Sequence, residues 1–79
     1  MLIGVGNLEL DKLIRSILSR RDPEGFYVIL AKGKGFDIVK RFNDVVVDHV
    51  GEDIVIRTKS RKTAVELIRS LHRLGLLLQ

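Results

Sequence analysis

The residue pair Gly51-Glu52 constrains the fold more than any other short stretch of this sequence. Glycine at the first central position of a two-residue connection is typical of a type II′ turn, which joins antiparallel strands and sets their register. The flanking residues 45–50 and 53–58 are rich in β-branched side chains, as strands are. The predicted cross-strand pairs are Val50 with Asp53, His49 with Ile54, Asp48 with Val55, Val47 with Ile56, Val46 with Arg57 and Val45 with Thr58.

This register gives the hairpin two different faces, because successive strand residues point to opposite sides. One face is uniformly aliphatic and is predicted to belong to the core. It carries Val45, Val47, Ile54 and Ile56. The other face is of mixed polarity and carries Val46, Asp48, Val55 and Arg57. A hairpin of this kind needs other elements to cover its aliphatic side.

Two further segments have the apolar spacing of amphipathic helices. The first is predicted to be capped by Asn7 and to stop near Asp22, because Pro23 disfavours helical geometry in the residue before it. Its apolar stripe is Leu10, Leu13, Ile14, Ile17 and Leu18. The second is predicted to begin after the cap Ser60 and to end at Gly75. Its stripe is Ala64, Leu67, Ile68, Leu71 and Leu74. Residues 76–78 either add a short edge strand or pack across the core.

The middle of the chain is harder to interpret. Residues 26–32 are apolar on both alternations, which indicates a central strand, and Gly33-Lys34-Gly35 follows as a flexible turn. Residues 36–44 fit both a strand and a helical face, and we favour a strand that reaches Val45 through a bulge. Of the four aromatic residues, Phe26, Phe36 and Phe42 are predicted to lie in the core. Tyr27 is the candidate for an exposed face.

The order of elements predicts one α+β domain over residues 1–79, with an antiparallel β-meander of three to four strands and both helices on one face (α-β-β-(β)-β-α). Such an arrangement leaves the reverse face of the sheet uncovered. An uncovered apolar face needs a partner, either RNA or protein. The predicted interface residues are Val39, Val46, Val55 and Tyr27.

Composition argues against several function classes. The chain has no cysteine, and neither His49 nor His72 has a second ligand at metal-binding spacing, so no metal, cofactor or catalytic residue is expected. No nucleophile stands with a base, so we do not expect an enzyme. The apolar stretches are too short to cross a membrane, and the first residues lack the basic flank of a secretion signal. We expect a cytoplasmic protein, and the few Asn and Gln residues with many charged ones favour a thermophile.

The formal net charge is +4, a modest excess that favours polyanionic partners. Lys32 and Lys34 flank glycines that would let backbone N–H groups approach a phosphate, although a solvated lysine turn is the plainer interpretation. Lys59, Arg61 and Lys62 stand at a helix start, where a cation opposes the helix dipole unless an anion is bound. A solvated turn is again the alternative. Arg20 and Arg21 end the first helix, where cations are favourable in any case.

The element order and several short runs resemble small RNA-binding proteins. Residues 13–22, the hairpin end Asp53-Ile54-Val55-Ile56 and the helix at 63–74 with its apolar tail resemble the archaeal and eukaryotic large-subunit ribosomal protein thirty-eight family. The Asp22-Pro23 helix exit and the strand Val28-Ile29-Leu30 resemble the Alu-domain proteins of the signal recognition particle. Both resemblances imply RNA binding. Leu2-Ile3-Gly4 and residues 31–35 resemble the archaeal chromatin protein Alba, which ends in a β-hairpin where this chain ends in a helix.

The chain departs from the ribosomal family in the charge of its predicted sheet region. This region is more acidic than in such ribosomal proteins, because it contains Asp37, Asp44, Asp48, Glu52 and Asp53. The leading hypothesis is a non-enzymatic RNA-binding protein that contacts phosphates of structured RNA, as a ribosomal or other ribonucleoprotein component. The predicted contacts are Lys32, Lys34, Lys59, Arg61, Lys62, Arg20 and Arg21. The alternatives are a homodimer or protein-interaction subunit that uses the open face, and an archaeal DNA-binding chromatin protein.

Overall fold

The computed structural model describes residues 3–78, with side chains from Glu9 onward. Its elements are α1 (Ile3–Leu18), β1 (Tyr27–Lys32), a 3-10 turn (Gly33–Gly35), α2 (Phe36–Val39), β2 (Val46–Val50), β3 (Asp53–Thr58) and α3 (Arg61–Arg73). The α+β class with an open antiparallel sheet is confirmed. Asn7 lies within α1, so the prediction that it caps the helix is wrong. No helix in residues 3–78 is long and apolar enough to span a membrane.

The hairpin has the predicted register. β2 and β3 pair as expected from Val46 opposite Arg57 to Val50 opposite Asp53, and Gly51 has the positive φ of 61° that a type II′ turn requires. The strand order is β1-β3-β2, so β1 pairs with the third strand rather than the second. In a meander, neighbours in sequence are neighbours in the sheet, and that part of the prediction is wrong.

The strand order explains the structure of residues 36–44. They form α2 and a turn instead of the strand that we favoured. β1 ends beside the β2–β3 turn, where the backbone N–H of Gly33 donates to the Glu52 carbonyl oxygen at 2.8 Å. The chain must then return to the far end of the sheet before β2 can begin. The returning segment is helical at its start because its apolar residues have helical spacing, and this conformation buries Val39 completely.

The core lies between one sheet face and the helices. β1 contributes Tyr27, Ile29 and Ala31, all buried, with Ile29 opposite Ile56 and Ala31 opposite Ile54. We predicted the opposite orientation of β1, with Tyr27 outside, and this is wrong. The helices contribute Ile14, Ile17, Ala64, Leu67, Ile68 and Leu71.

Both predicted ends of α3 are confirmed. The Ser60 hydroxyl accepts from the backbone N–H of Thr63 at 3.2 Å. At the other end, Gly75 has φ 71°, its N–H donates to the His72 carbonyl at 3.0 Å, and the Leu76 N–H donates to the Leu71 carbonyl at 2.8 Å. This pair of bonds is a Schellman motif, which turns the chain back toward the sheet.

The tail takes the edge position, one of the two alternatives left open. Leu77 pairs with Ala31, the N–H of Lys32 donates to the Leu76 carbonyl and the N–H of Leu78 to the Leu30 carbonyl. The tail therefore covers the outer edge of β1 at residues 30–32.

Candidate nucleic-acid interface

Five of the seven predicted phosphate contacts lie at one end of the sheet. Tyr27 opens β1 opposite Thr58, which closes β3, so the approach to β1 and the exit from β3 are adjacent. The C-terminus of α1 leads into the first and the N-terminus of α3 follows the second. We call the exposed cations there the basic end: Arg20, Arg21, Lys59, Arg61 and Lys62.

Two of these cations are seated on aromatic rings. The guanidinium of Arg21 lies 4.8 Å from the ring centre of Tyr27 and donates from Nη2 to the Tyr27 hydroxyl at 2.5 Å. The Nζ of Lys59 lies 4.9 Å from the ring centre of Phe26. A cation over an aromatic face is held in place while its outer side still meets solvent. Tyr27 is 2% exposed, so it supports Arg21 and cannot stack on a base.

Within the described side chains, residues 9–78, the cations of the basic end take part in no ion pair. Within residues 9–78, the ion pairs join Lys40 to Asp37 at 3.4 Å and Arg57 to Asp48 and Asp22, at 2.5 and 3.9 Å. Arg20, Arg21, Lys59, Arg61 and Lys62 are in none of them. Their charge is therefore available to an external anion, at the cost of hydration and of side-chain entropy.

The start of α3 already has an anion of its own. The Thr63 hydroxyl donates to Oδ2 of Asp44 at 2.8 Å, which places a carboxylate near the free N–H groups of the helix. Sequence reasoning counted Asp44 with the acidic sheet region, since nothing local links it to a residue 19 positions later. The helix start is thus partly compensated, and Lys59, Arg61 and Lys62 act through their side chains.

Lys32 and Lys34 lie at the opposite end. Lys32 closes β1 opposite Asp53, five residues from Tyr27, or roughly 17 Å at about 3.3 Å per strand residue. The phosphate-cradle interpretation loses its main donor, because the Gly33 N–H is used by Glu52. Gly33 has a packing reason as well, since a Cβ there would lie 2.6 Å from the Glu52 carbonyl oxygen. The predicted contact set is therefore two separate groups.

Among the described residues, no element covers the sheet face away from the helices, and we call it the open face. Its nine residues form three cross-strand rows: Val28, Arg57 and Val46; Leu30, Val55 and Asp48; Lys32, Asp53 and Val50. Val46 is 49% exposed and Val50 58%. Of the predicted interface residues, Val46 and Val55 are on this face. Val39 and Tyr27 are buried, which is a correction.

Sequence reasoning missed a groove between α1 and the outer side of β1. It has a volume of about 570 Å³ and connects the basic end to the open face. Its lining combines an aliphatic floor with cations: Leu13, Ser16, Ile17, Arg20, Arg21, Asp22, Val28 and Leu30. The groove forms where α1 packs against β1, and no local pattern in the sequence indicates it.

Residues 9–78 contain no cluster of three His, Cys, Asp or Glu side chains that could hold a metal ion. His49 instead contacts Phe36, with ring centres 5.3 Å apart.

No protein-family model, no curated protein and no solved structure matches this chain.

Proposed function

We propose that this protein is a non-enzymatic RNA-binding protein whose basic end contacts the phosphate backbone. The observation that carries the proposal is the gathering of five cations at one end of the sheet, none of them ion-paired with another side chain of residues 9–78: Arg20, Arg21, Lys59, Arg61 and Lys62. Phosphate contacts supply most of the sequence-independent affinity for nucleic acids.

The arrangement of these cations supports contact with structured RNA. They come from two helix ends and are partly fixed by the rings of Tyr27 and Phe26, so their spacing is held by the fold. Preset cations suit a folded backbone with preset phosphates. The groove beside α1 extends the same surface with an aliphatic floor. A ribosomal or other ribonucleoprotein component would need this kind of rigid, catalytically silent surface.

The test measures binding to a structured RNA hairpin across a range of salt concentrations. We expect affinity to fall steeply with salt. The Lys59→Ala/Arg61→Ala/Lys62→Ala variant should flatten the log–log slope by about two to three units, at roughly 0.7 to 0.9 per lost phosphate contact. The matched control removes three other exposed cations, Lys12, Arg69 and Arg73, with the same change in net charge.

An equal effect of the two triple variants would show that only net charge matters and would contradict a defined site. Salt-independent binding would contradict phosphate contact altogether. Competition by duplex DNA of the same length distinguishes RNA from the chromatin-type alternative, because a DNA-packaging protein would prefer the duplex DNA.

A further inference from the structure

The open face differs in charge from the rest of the molecule. Its two cations, Lys32 and Arg57, are balanced by Asp48 and Asp53, whereas the whole chain carries +4. Arg57 is moreover already paired with Asp48 at 2.5 Å. A surface with two carboxylates and no net charge is poorly suited to phosphates. The face and the basic end therefore serve different partners.

The remaining residues of the face are aliphatic: Val28, Leu30, Val46, Val50 and Val55. Val55 lies at its centre on the middle strand, with Asp53 two residues before it and Arg57 two residues after it. Because β3 carries opposite charges on either side of an apolar centre, it is complementary to a reversed copy of itself. This property singles out one partner.

We propose that the open face binds a second copy of this chain, about a two-fold axis that passes through Val55 and runs across the strands. This operation reverses β3 on β3, so that Val55 meets its copy while Asp53 meets the partner's Arg57 and Arg57 meets the partner's Asp53. Sheets packed in this aligned way lie about 10 Å apart. Arg57, which is held by Asp48 and Asp22 of its own chain, reaches the partner's Asp53 by turning part of its guanidinium group outward.

The other two-fold arrangement, with the axis along the strands, stacks Asp53 on Asp53 and Arg57 on Arg57. It is unfavourable at both positions, since like charges repel across a dry interface. In the proposed arrangement Val46 also lies over Val50 and Leu30 over Leu30, while Lys32 lies over Val28 at the edge of the sheet. Asp48 faces its own copy, but it lies on the edge strand and is neutralised by Arg57.

The interface is small. Three strands of this length form a layer of roughly 17 by 14 Å, below the ~800 Å² that each partner buries in a standard interface. We therefore expect a weak dimer, which forms only at high micromolar to millimolar protein concentrations.

The test is a charge exchange followed by sedimentation without RNA. Asp53→Arg and Arg57→Glu should each remain monomeric where the unmodified protein dimerises, because each puts like charges together twice. An equimolar mixture should dimerise again, since positions 53 and 57 then face each other with opposite charges at both contacts. Glu52→Arg, with the same charge change as Asp53→Arg but in the turn beside the face, should dimerise normally.

Arg57→Glu loses two intramolecular ion pairs, so a second variant keeps the test decisive if it does not fold. Val55→Lys places two ammonium groups at the two-fold axis and should also give a monomer with an unchanged circular dichroism spectrum. An unmodified protein that stays monomeric at millimolar concentration, or variants that dimerise as well as it does, would overturn the proposal. Because RNA is absent, neither result depends on the proposed function.

Discussion

Thr63, in the first turn of α3, donates its hydroxyl hydrogen to Oδ2 of Asp44, 19 residues earlier and just before β2, at 2.8 Å. Thr63 also gives its backbone N–H to the Ser60 hydroxyl. One residue thus ties the helix cap to the segment that returns below the sheet. It also brings the carboxylate of Asp44 to the positive end of the helix.

We predict that Asp44→Ala lowers the free energy of unfolding by about 1 kcal/mol, because it removes a charged hydrogen-bond acceptor and a favourable charge at the helix dipole. Asp44→Asn keeps an acceptor oxygen and should cost about half as much. Urea denaturation measures both. The control is Asp37→Ala, whose exposed ion pair with Lys40 should be worth about 0.5 kcal/mol or less. An equal loss for Asp44→Ala and Asp37→Ala would show that the contact with Thr63 contributes nothing.

The same change has an effect at the basic end. If Asp44 competes with phosphates for the start of α3, Asp44→Asn should raise affinity for the RNA hairpin by about two- to fivefold at low salt, the equivalent of about 0.4 to 1 kcal/mol. Filter binding or fluorescence anisotropy measures this. Asp37→Asn has the same charge change away from the basic end and should raise affinity less. Lower affinity in Asp44→Asn would place the RNA elsewhere.

A substitution at Tyr27 tests whether its hydroxyl only supports Arg21 or contacts RNA directly. It is buried, and its hydroxyl accepts from Arg21. Tyr27→Phe should lower the free energy of unfolding by about 1 kcal/mol through the lost hydrogen bond. RNA affinity should change less than it does in Arg21→Ala, which removes a charge from the basic end. Should Tyr27→Phe weaken binding as much as Arg21→Ala, the hydroxyl itself would have to be a contact.

The glycines at the β1 exit should differ in their tolerance of a methyl group. At Gly33 a Cβ would lie 2.6 Å from the backbone oxygen of Glu52, whereas at Gly35 it would lie 2.7 Å from the side-chain Cδ2 of Leu71. A side chain moves aside more easily than the backbone of a hairpin. Gly35→Ala should therefore lower the free energy of unfolding by about 1 to 3 kcal/mol, and Gly33→Ala should lower it further. Lys34→Ala, exposed between them, is the control. Thermal denaturation ranks the three, and the reverse order for the glycines would contradict this account.

How far the sequence predicts a feature of this fold depends on the range of the interaction that decides it. Gly51 sets a turn and a register over a few residues, and both were predicted. The orientation of β1 was not, because Val28 and Ile29 are equally apolar and only the pairing with Ile56 distinguishes them. The segment at 36–44 failed for the same reason, since the need to return below the sheet arises only once β1 pairs with β3.

In the candidate site, too, the features that local sequence decides were predicted and those that depend on strand pairing were not. The cations were identified from composition and helix ends, but their separation into two groups depends on Tyr27 pairing with Thr58 and Lys32 with Asp53. The contact between Thr63 and Asp44 is equally nonlocal.

Gly75 should control the edge of the sheet as well as the end of α3. Its φ of 71° is strained for any residue with a Cβ, and its Schellman bonds direct Leu76 toward Lys32. Gly75→Ala should therefore lower the free energy of unfolding by about 1 kcal/mol. It should also speed hydrogen exchange at the Lys32 amide, which donates to the Leu76 carbonyl at 2.8 Å. Leu74→Ala is the control, because Leu74 immediately precedes Gly75 and has a negative φ. Unchanged protection of the Lys32 amide in Gly75→Ala, relative to other β1 amides, would show that the tail docks independently of the helix end.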